Sequence, residues 1–214
     1  MSERNYSVLD GFINTIDEHL GAFISQPQQT LRAYPAENVE HSILSETERR
    51  QSEGFMRVNH AGEVSAQALY KAQALTARDS QVREAMERSA EEEIDHLVWC
   101  EQRLRELGGR TSLLGPLWFF GSFTIGSLAG LIGDKWNLGF VVETEHQVVK
   151  HLDKHLKEIS ASDLKSRAVL EQMREDEVHH ASVALHAGAR ELSLPVKKIM
   201  RLLSKVMTKT AYWI

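Results

Sequence analysis

A single cysteine, Cys100, excludes an intrachain disulfide and the cross-linked scaffolds of small secreted domains. Only 4 of the 214 residues are proline and 13 are glycine, so little interrupts long helices. The net charge of −5 supplies no general attraction to nucleic acid, and no nucleic-acid partner is expected. The opening MSERNYSVLD lacks the apolar core of a secretory signal, so a reducing, cytosolic setting is expected. Neither G-x-G-x-x-G nor C-x-x-C occurs, which leaves no dinucleotide fingerprint and no redox dithiol. The longest absence is of charge: none is found from Thr111 to Gly133.

What is present is helical periodicity. Val8, Leu9, Phe12, Ile13, Ile16, Leu20 and Phe23 make an amphipathic helix of about Tyr6 to Ile24, followed by an irregular linker with Pro27 and Pro35. Ser45 and Glu48 offer a capping box for a first bundle helix running to about Arg78. Asp79 and Ser80 turn the chain into a second, antiparallel helix that ends at Leu107 before Gly108 and Gly109. A third runs from about Lys135 to Ile159. A fourth is capped by Ser162 or Asp163 and runs to about Gly188. A last, basic helix begins after Ser193. The uncharged crossover is long enough to span a bilayer, yet Gly115, Pro116, Gly121, Gly126, Gly130 and Gly133 should break it up. Within it, GSLAG is a small-residue packing motif, and a buried or membrane-surface crossover is expected.

Each bundle helix carries an acid where its core should be. At about 100° per residue, Glu93 is central to the stripe of Val82, Met86, Leu97, Cys100 and Leu104, while Glu91 and Asp95 face solvent. Glu145 lies within about 60° of Leu138, Val141, Val142, Leu152 and Ile159, with Glu143 on the opposite side. Glu177 is bracketed by Leu170, Met173, Ala181 and Ala184. Glu63 is bracketed more loosely by Met56, Ala66, Tyr70 and Ala74. The sequence midpoint of Glu63 and Glu93 is Arg78, and that of Glu145 and Glu177 is Ala161, both at turns. Each pair therefore meets at one level of an antiparallel hairpin. Glu93 and Glu177 each have a histidine one turn on, His96 and His180, placed to share an ion. ETEH, Glu143 to His146, matches the spacing off the stripe and reads as coincidence. One Glu from each of two helices plus Glu-x-x-His from each of the other two is the inward set of a di-iron or di-manganese bundle. Two divalent ions would cancel the repulsion among four buried carboxylates. Oxygen and nitrogen donors without thiolate favour iron or manganese over zinc. Asp176, His151, His155 and His179 are candidates to orient the ligands.

Through NHAGE, EEEIDH, ETEH and REDEVHH, the chain from about Glu53 to Gly188 resembles the demethoxyubiquinone hydroxylase family of ubiquinone biosynthesis. The resemblance implies an all-α, ferritin-like four-helix bundle with a long hydrophobic crossover between helices two and three and accessory helices at both ends. Residues 1–44 would be the arm and linker, and 45–214 the di-iron domain with its basic helix. It implies two iron ions held by Glu63, Glu93, His96, Glu145, Glu177 and His180, of which the third-helix acid rests on the stripe alone. It also implies O2-dependent hydroxylation of the ring of a polyprenylated demethoxyubiquinol, with NADH as electron source. The setting implied is peripheral, on the cytoplasmic face of a bacterial inner membrane.

A lipid-tailed substrate has to be drawn from a membrane. Trp118, Phe119, Phe120 and Phe123 of the crossover are expected to be aromatic anchors. In the last helix, Lys197, Lys198, Arg201, Lys205 and Lys209 oppose Ile199, Leu202, Leu203 and Val206, a pattern suited to an interface. The same surfaces would serve a homo-oligomer or partner proteins of ubiquinone biosynthesis. A di-iron hydroxylase of modified tRNA and an iron-storage or ferroxidase protein share the ligand pattern. The first would need a basic nucleic-acid face and the second a soluble shell, which an apolar crossover opposes.

Overall fold

The computed structural model describes residue 30 and residues 32–214, so the arm helix expected at Tyr6 to Ile24 lies outside the described residues. Among the described residues there are six helices and no strand: α1 Glu46–Thr76, α2 Ser80–Glu106, α3 Gly115–Ile132, α4 Asp134–Glu158, α5 Leu164–His186 and α6 Leu194–Ala211. The architecture is a ferritin-like bundle of α1, α2, α4 and α5, with α3 crossing between the two hairpins and α6 following the bundle.

The helix ends are fixed by local chemistry. The Ser45 and Glu48 side chains exchange hydrogen bonds with each other's backbone N–H, closing the expected capping box. The Asp79 carboxylate accepts from the backbone of Gln81 and Val82, so the turn before α2 is only a few residues long. Asp163 caps α5 by accepting from the Ser166 N–H. Asp134, at the start of α4, accepts from the backbone N–H groups of Arg78 and Asp79 and ties the α1–α2 turn to the end of the crossover.

The core is in two apolar parts. Phe55, Met56, Trp99, Cys100, Leu104, Leu152, Val169, Leu170 and Met173 fill one end. Cys100 is fully buried there, 3.7 Å from the Met173 sulfur, as a small core residue. Tyr70, Ala74, Val82, Met86, Leu138, Val141 and Ala184 fill the other. Along every bundle helix the acidic residue singled out by periodicity falls between these parts.

The crossover differs from expectation in one respect. Its glycines do not break it; α3 is one continuous helix of 18 residues. Gly126 and Gly130 instead let it lie close against α1. A Cβ on Gly126 would meet the Leu69 carbonyl oxygen at 2.7 Å, and one on Gly130 would meet the Thr76 hydroxyl at 1.9 Å. Phe119 and Phe123 continue that stripe one and two turns earlier. They pack on Val64, Ala68 and Ala72 at 1 % and 4 % exposure. They are therefore core residues of the α1–α3 contact rather than surface anchors, and the aromatic-anchor expectation holds for Phe120 at most. What faces outward is Leu113, Leu117, Phe120, Leu128, Leu131 and Ile132.

Helix α6 packs on α1 and shares apolar clusters with α3: Trp118 and Met207 pack on Val58, Ala61 and Ala211, while Ile125, Val196 and Met200 pack on a cluster that includes Leu69 and Ala129. The apolar residues Ile199, Leu202, Leu203 and Val206 are left about half exposed. Both helices thus present unpartnered apolar side chains on the outside of the bundle.

The α1–α3 contact yields a paired expectation. A Cβ at Gly121 meets nothing within 4 Å, so Gly121→Ala should stabilise the protein by roughly 0.5–1 kcal/mol through helix propensity. Gly126→Ala should instead destabilise it by about 1–3 kcal/mol, because the obstacle is backbone and cannot rotate away. Denaturant unfolding of both variants measures the difference, and equal effects would mean that α3 is not seated on α1 as described.

Candidate metal centre

The site is made by register. Glu63 of α1 and Glu145 of α4 each contribute one inward carboxylate, and Glu93-x-x-His96 of α2 and Glu177-x-x-His180 of α5 contribute two groups apiece. All six residues are buried: Glu63 is 2 % exposed, Glu93 0 %, His96 0 %, Glu145 1 %, Glu177 1 % and His180 6 %. They form two overlapping clusters, Glu63, Glu93, His96 and Glu177, and Glu93, Glu145, Glu177 and His180. Within each, the donor atoms lie no more than 4.8 Å apart. Each cluster has three carboxylates and one imidazole, and Glu93 and Glu177 belong to both. That arrangement can hold two cations bridged by two carboxylates.

The unsatisfied atoms point the same way. Glu93 Oε1, Glu145 Oε1, Glu177 Oε2 and His180 Nδ1 are buried without a hydrogen-bond partner, at a cost of a few kcal/mol each in an apolar core unless a cation meets them. Both imidazoles turn Nδ1 inward. His96 Nδ1 lies 3.0 Å from Glu93 and 3.4 Å from Glu177, and His180 Nδ1 lies 3.4 Å from Glu177 and 3.6 Å from Glu93.

Both imidazoles also turn Nε2 outward to a carboxylate. His96 Nε2 donates to Asp176 at 2.9 Å, and His180 Nε2 donates to Glu92 at 2.5 Å. The two contacts cross between helices: Asp176 precedes Glu177 on α5 and holds the histidine of α2, while Glu92 precedes Glu93 on α2 and holds the histidine of α5. A carboxylate accepts only, so each Nε2 carries a proton, and each Nδ1 faces the cluster, where an entering ion would displace the proton held there.

The electrostatics follow from burial and crowding. Burial, with Glu93 opposite, pushes Glu63 well above the usual carboxylate range, and burial with Glu177 opposite does the same to Glu145. Burial also opposes charge on Glu177, but the Glu145, His180 and His96 side chains facing it outweigh that and hold this carboxylate below its ordinary value. Burial opposes a charged His96, yet the carboxylates around it, Glu93, Asp176, Glu177 and Glu63, raise it well above the ordinary histidine value. His180 is raised to about 10, burial being outweighed by Glu177 and Glu92.

A family model described as "Ubiquinone biosynthesis protein COQ7" matches residues 50–211. A Nitrosococcus oceani protein named 3-demethoxyubiquinol 3-hydroxylase is 59 % identical over the whole length of both chains. Proteins of that name from Pseudomonas fluorescens and Chromobacterium violaceum are 54 % and 51 % identical, covering 99 % and 96 % of this chain and 98 % and 99 % of their own. The chain belongs to the COQ7 family.

All six inward residues fall inside the COQ7 match. Of the four residues expected to support them, only Asp176 does so. His155 is buried away from the cluster, stacked on Phe55 at 4.2 Å and hydrogen-bonded to Asn59, and His151 packs against it. His179 is exposed. Glu92 was missed, although an acid directly before both Glu-x-x-His motifs, in EEEIDH and DEVHH, is a repeat that the sequence displays. Asp95 is a correction: it does not face solvent but is 1 % exposed, accepting from Arg32 Nε at 2.8 Å. Tyr34, Ala36 and Val39 of the same linker pack on the apolar core at one end of the bundle. Glu143 faces away from the cluster and lies 3.6 Å from Lys197 of α6.

Two expectations follow. Glu145→Ala should remove tight binding of at least one divalent ion, whereas Glu143→Ala should retain full metal content by elemental analysis; equal loss would overturn the choice between them. Because Glu63, Glu145, His96 and His180 all hold protons more tightly than usual, divalent ions must displace protons to enter near neutral pH, and affinity should rise with pH. Calorimetric titration in buffers of different protonation enthalpy should show proton release, and heats independent of buffer would contradict the coupling.

Proposed function

We propose that the protein hydroxylates the ring of a polyprenylated demethoxyubiquinol in ubiquinone biosynthesis, using O2 at a pair of iron ions held by Glu63, Glu93, His96, Glu145, Glu177 and His180. The observation that carries this reading is the pair of buried, overlapping four-donor clusters sharing Glu93 and Glu177, within a chain of the COQ7 family. The curated relatives' shared name, 3-demethoxyubiquinol 3-hydroxylase, supplies the substrate class.

When bound, the irons supply O2 activation and transfer of one oxygen atom to the ring, with NADH as the ultimate source of electrons. The protein's own groups do the rest. Glu93 and Glu177, which belong to both four-donor clusters, would be shared between the two ions. Asp176 and Glu92 keep the Nε2 protons of His96 and His180 and so aim each Nδ1 at the cluster. The two apolar halves of the core exclude water above and below the carboxylates.

The unpartnered apolar residues of α3 and α6 support docking on the membrane that holds the prenyl tail. Leu117, Leu128 and Leu131 of α3 and Leu202 and Val206 of α6 enter the acyl boundary, and Lys198, Arg201, Lys205 and Lys209 meet anionic headgroups. The reading places the protein peripherally, on the cytoplasmic face of a bacterial inner membrane.

The test is a single-turnover assay of the protein loaded with iron(II), whose two ions supply the two electrons, with a demethoxyubiquinol: one hydroxylated quinol per di-iron site, labelled from 18O2, is expected, and no labelled product would overturn the assignment. Serine at Leu128, Leu131 and Leu202 together should lower affinity for anionic vesicles on the order of 100-fold, taking about 1 kcal/mol for each half-exposed leucine. Turnover of a long-tailed substrate should fall with it, while iron content and turnover of a short-tailed analogue are retained. Equal losses on both substrates would make this ridge a packing surface instead.

A further inference from the structure

The two histidines of the centre are not braced alike. His180 is held by Glu92, whose side chain is 48 % exposed. His96 is held by Asp176, and Asp176 is itself gripped from outside the bundle. Arg32, in the linker before α1, places Nη1 2.9 Å from Asp176 Oδ2 and Nε 2.8 Å from Asp95 Oδ2. Its guanidinium carbon sits 4.7 Å from the centroid of the buried Trp99 ring, and Nη2 is 3.4 Å from His96 Nε2. One planar fork therefore joins α2, through Asp95, to α5, through Asp176, across the two helices that carry Glu-x-x-His.

We propose that Arg32 is a positioning residue for the metal centre: it holds Asp176, and through Asp176 the His96 imidazole, in the orientation that directs Nδ1 at the ligand cluster. The inference rests on the reading of that cluster as a metal centre. Both the His96 N–H and the Arg32 fork converge on the same oxygen, Asp176 Oδ2. Two N–H donors cannot bond each other, so the 3.4 Å approach of Nη2 to Nε2 comes from their common acceptor. Asp176 is half-buried and its other oxygen accepts from Gln172, one turn away on the same helix. Without Arg32 this carboxylate is free to swing toward Gln172 and solvent, and His96 loses the contact that fixes its proton and ring plane. A lysine would supply the charge but not two donors set to reach Asp95 and Asp176 together. Arg32 lies before the residues 50–211 that match the COQ7 family, so a segment outside that span would complete the centre of this chain.

The test uses cobalt(II) added to the metal-free, full-length chain, read by equilibrium dialysis and by visible ligand-field absorption, neither of which depends on turnover. The unmutated chain should take up two ions. Loss of an outer partner to a metal-bound histidine commonly costs 10–100-fold, so Arg32→Met should weaken one ion about tenfold, alter its ligand-field spectrum, and leave the other ion within about twofold. Arg32→Lys should recover only part of the loss. In an Asp176→Asn background Arg32→Met should add nothing further, because its target is already gone. Arg32→Met binding both ions as the unmutated chain does would overturn the proposal, and so would a full additional loss in the Asp176→Asn background. Fewer than two ions bound by the unmutated chain would instead refute the metal reading itself. Should Arg32→Met fail to fold, the same comparison is made between Asp95→Asn and Asp95→Asn/Arg32→Met. The same tenfold difference is expected there, and equal affinities would again overturn the proposal.

Discussion

Four carboxylates enclosed in an apolar bundle set the terms for the rest of this structure. Mutual repulsion at low dielectric and the loss of hydration both act against such a cluster, and no arrangement of the surrounding leucines and alanines offsets them. Two imidazoles facing the carboxylates, raised proton affinities on Glu63 and Glu145, and a geometry suited to two cations are the available remedies, and the site has all three. Its position divides the core into two packed ends, which hold the four helices in the register that keeps the carboxylates level.

That register depends on the turns. The α1–α2 and α4–α5 turns are short and capped by Asp79 and Asp163, so one extra residue in either would rotate and shift an acidic side chain relative to its partner. Arg103 reinforces the second hairpin's placement by donating to both Asp163 and Ser166 at 2.8 Å, linking α2 to the first turn of α5. A long crossover is then required, because the two hairpins can share a level only if the connection between them traverses the bundle.

The crossover meets that requirement with a helix that has two different faces. Glycines and phenylalanines at Phe119, Phe123, Gly126 and Gly130 allow close approach to α1, and leucines face away. Together with α6, it leaves exposed apolar side chains and lysines on the outside of the bundle. The chemistry of the interior and the chemistry of that outer surface are thereby joined through α1, which carries Glu63 on one side and seats α3 on the other.

The sequence by itself determined the four bundle helices and the last basic one, the caps at Ser45 and Asp79, the all-α bundle and the inward side of six residues, because each follows from spacing along one helix or from counting to a nearby turn. Glu145 was separable from Glu143 on those grounds alone. Tertiary structure decided what lies opposite each outward position. Asp95 sits about 160° from Glu93 and reads as solvated, yet it is buried and accepts from Arg32 of the linker. Phe119 and Phe123 read as anchors, yet they meet α1. Glu92 and Asp176 each serve a histidine of the other helix. Periodicity reports an angle about a single axis; the neighbour met at that angle depends on how separate helices and an irregular linker pack, which no local pattern encodes.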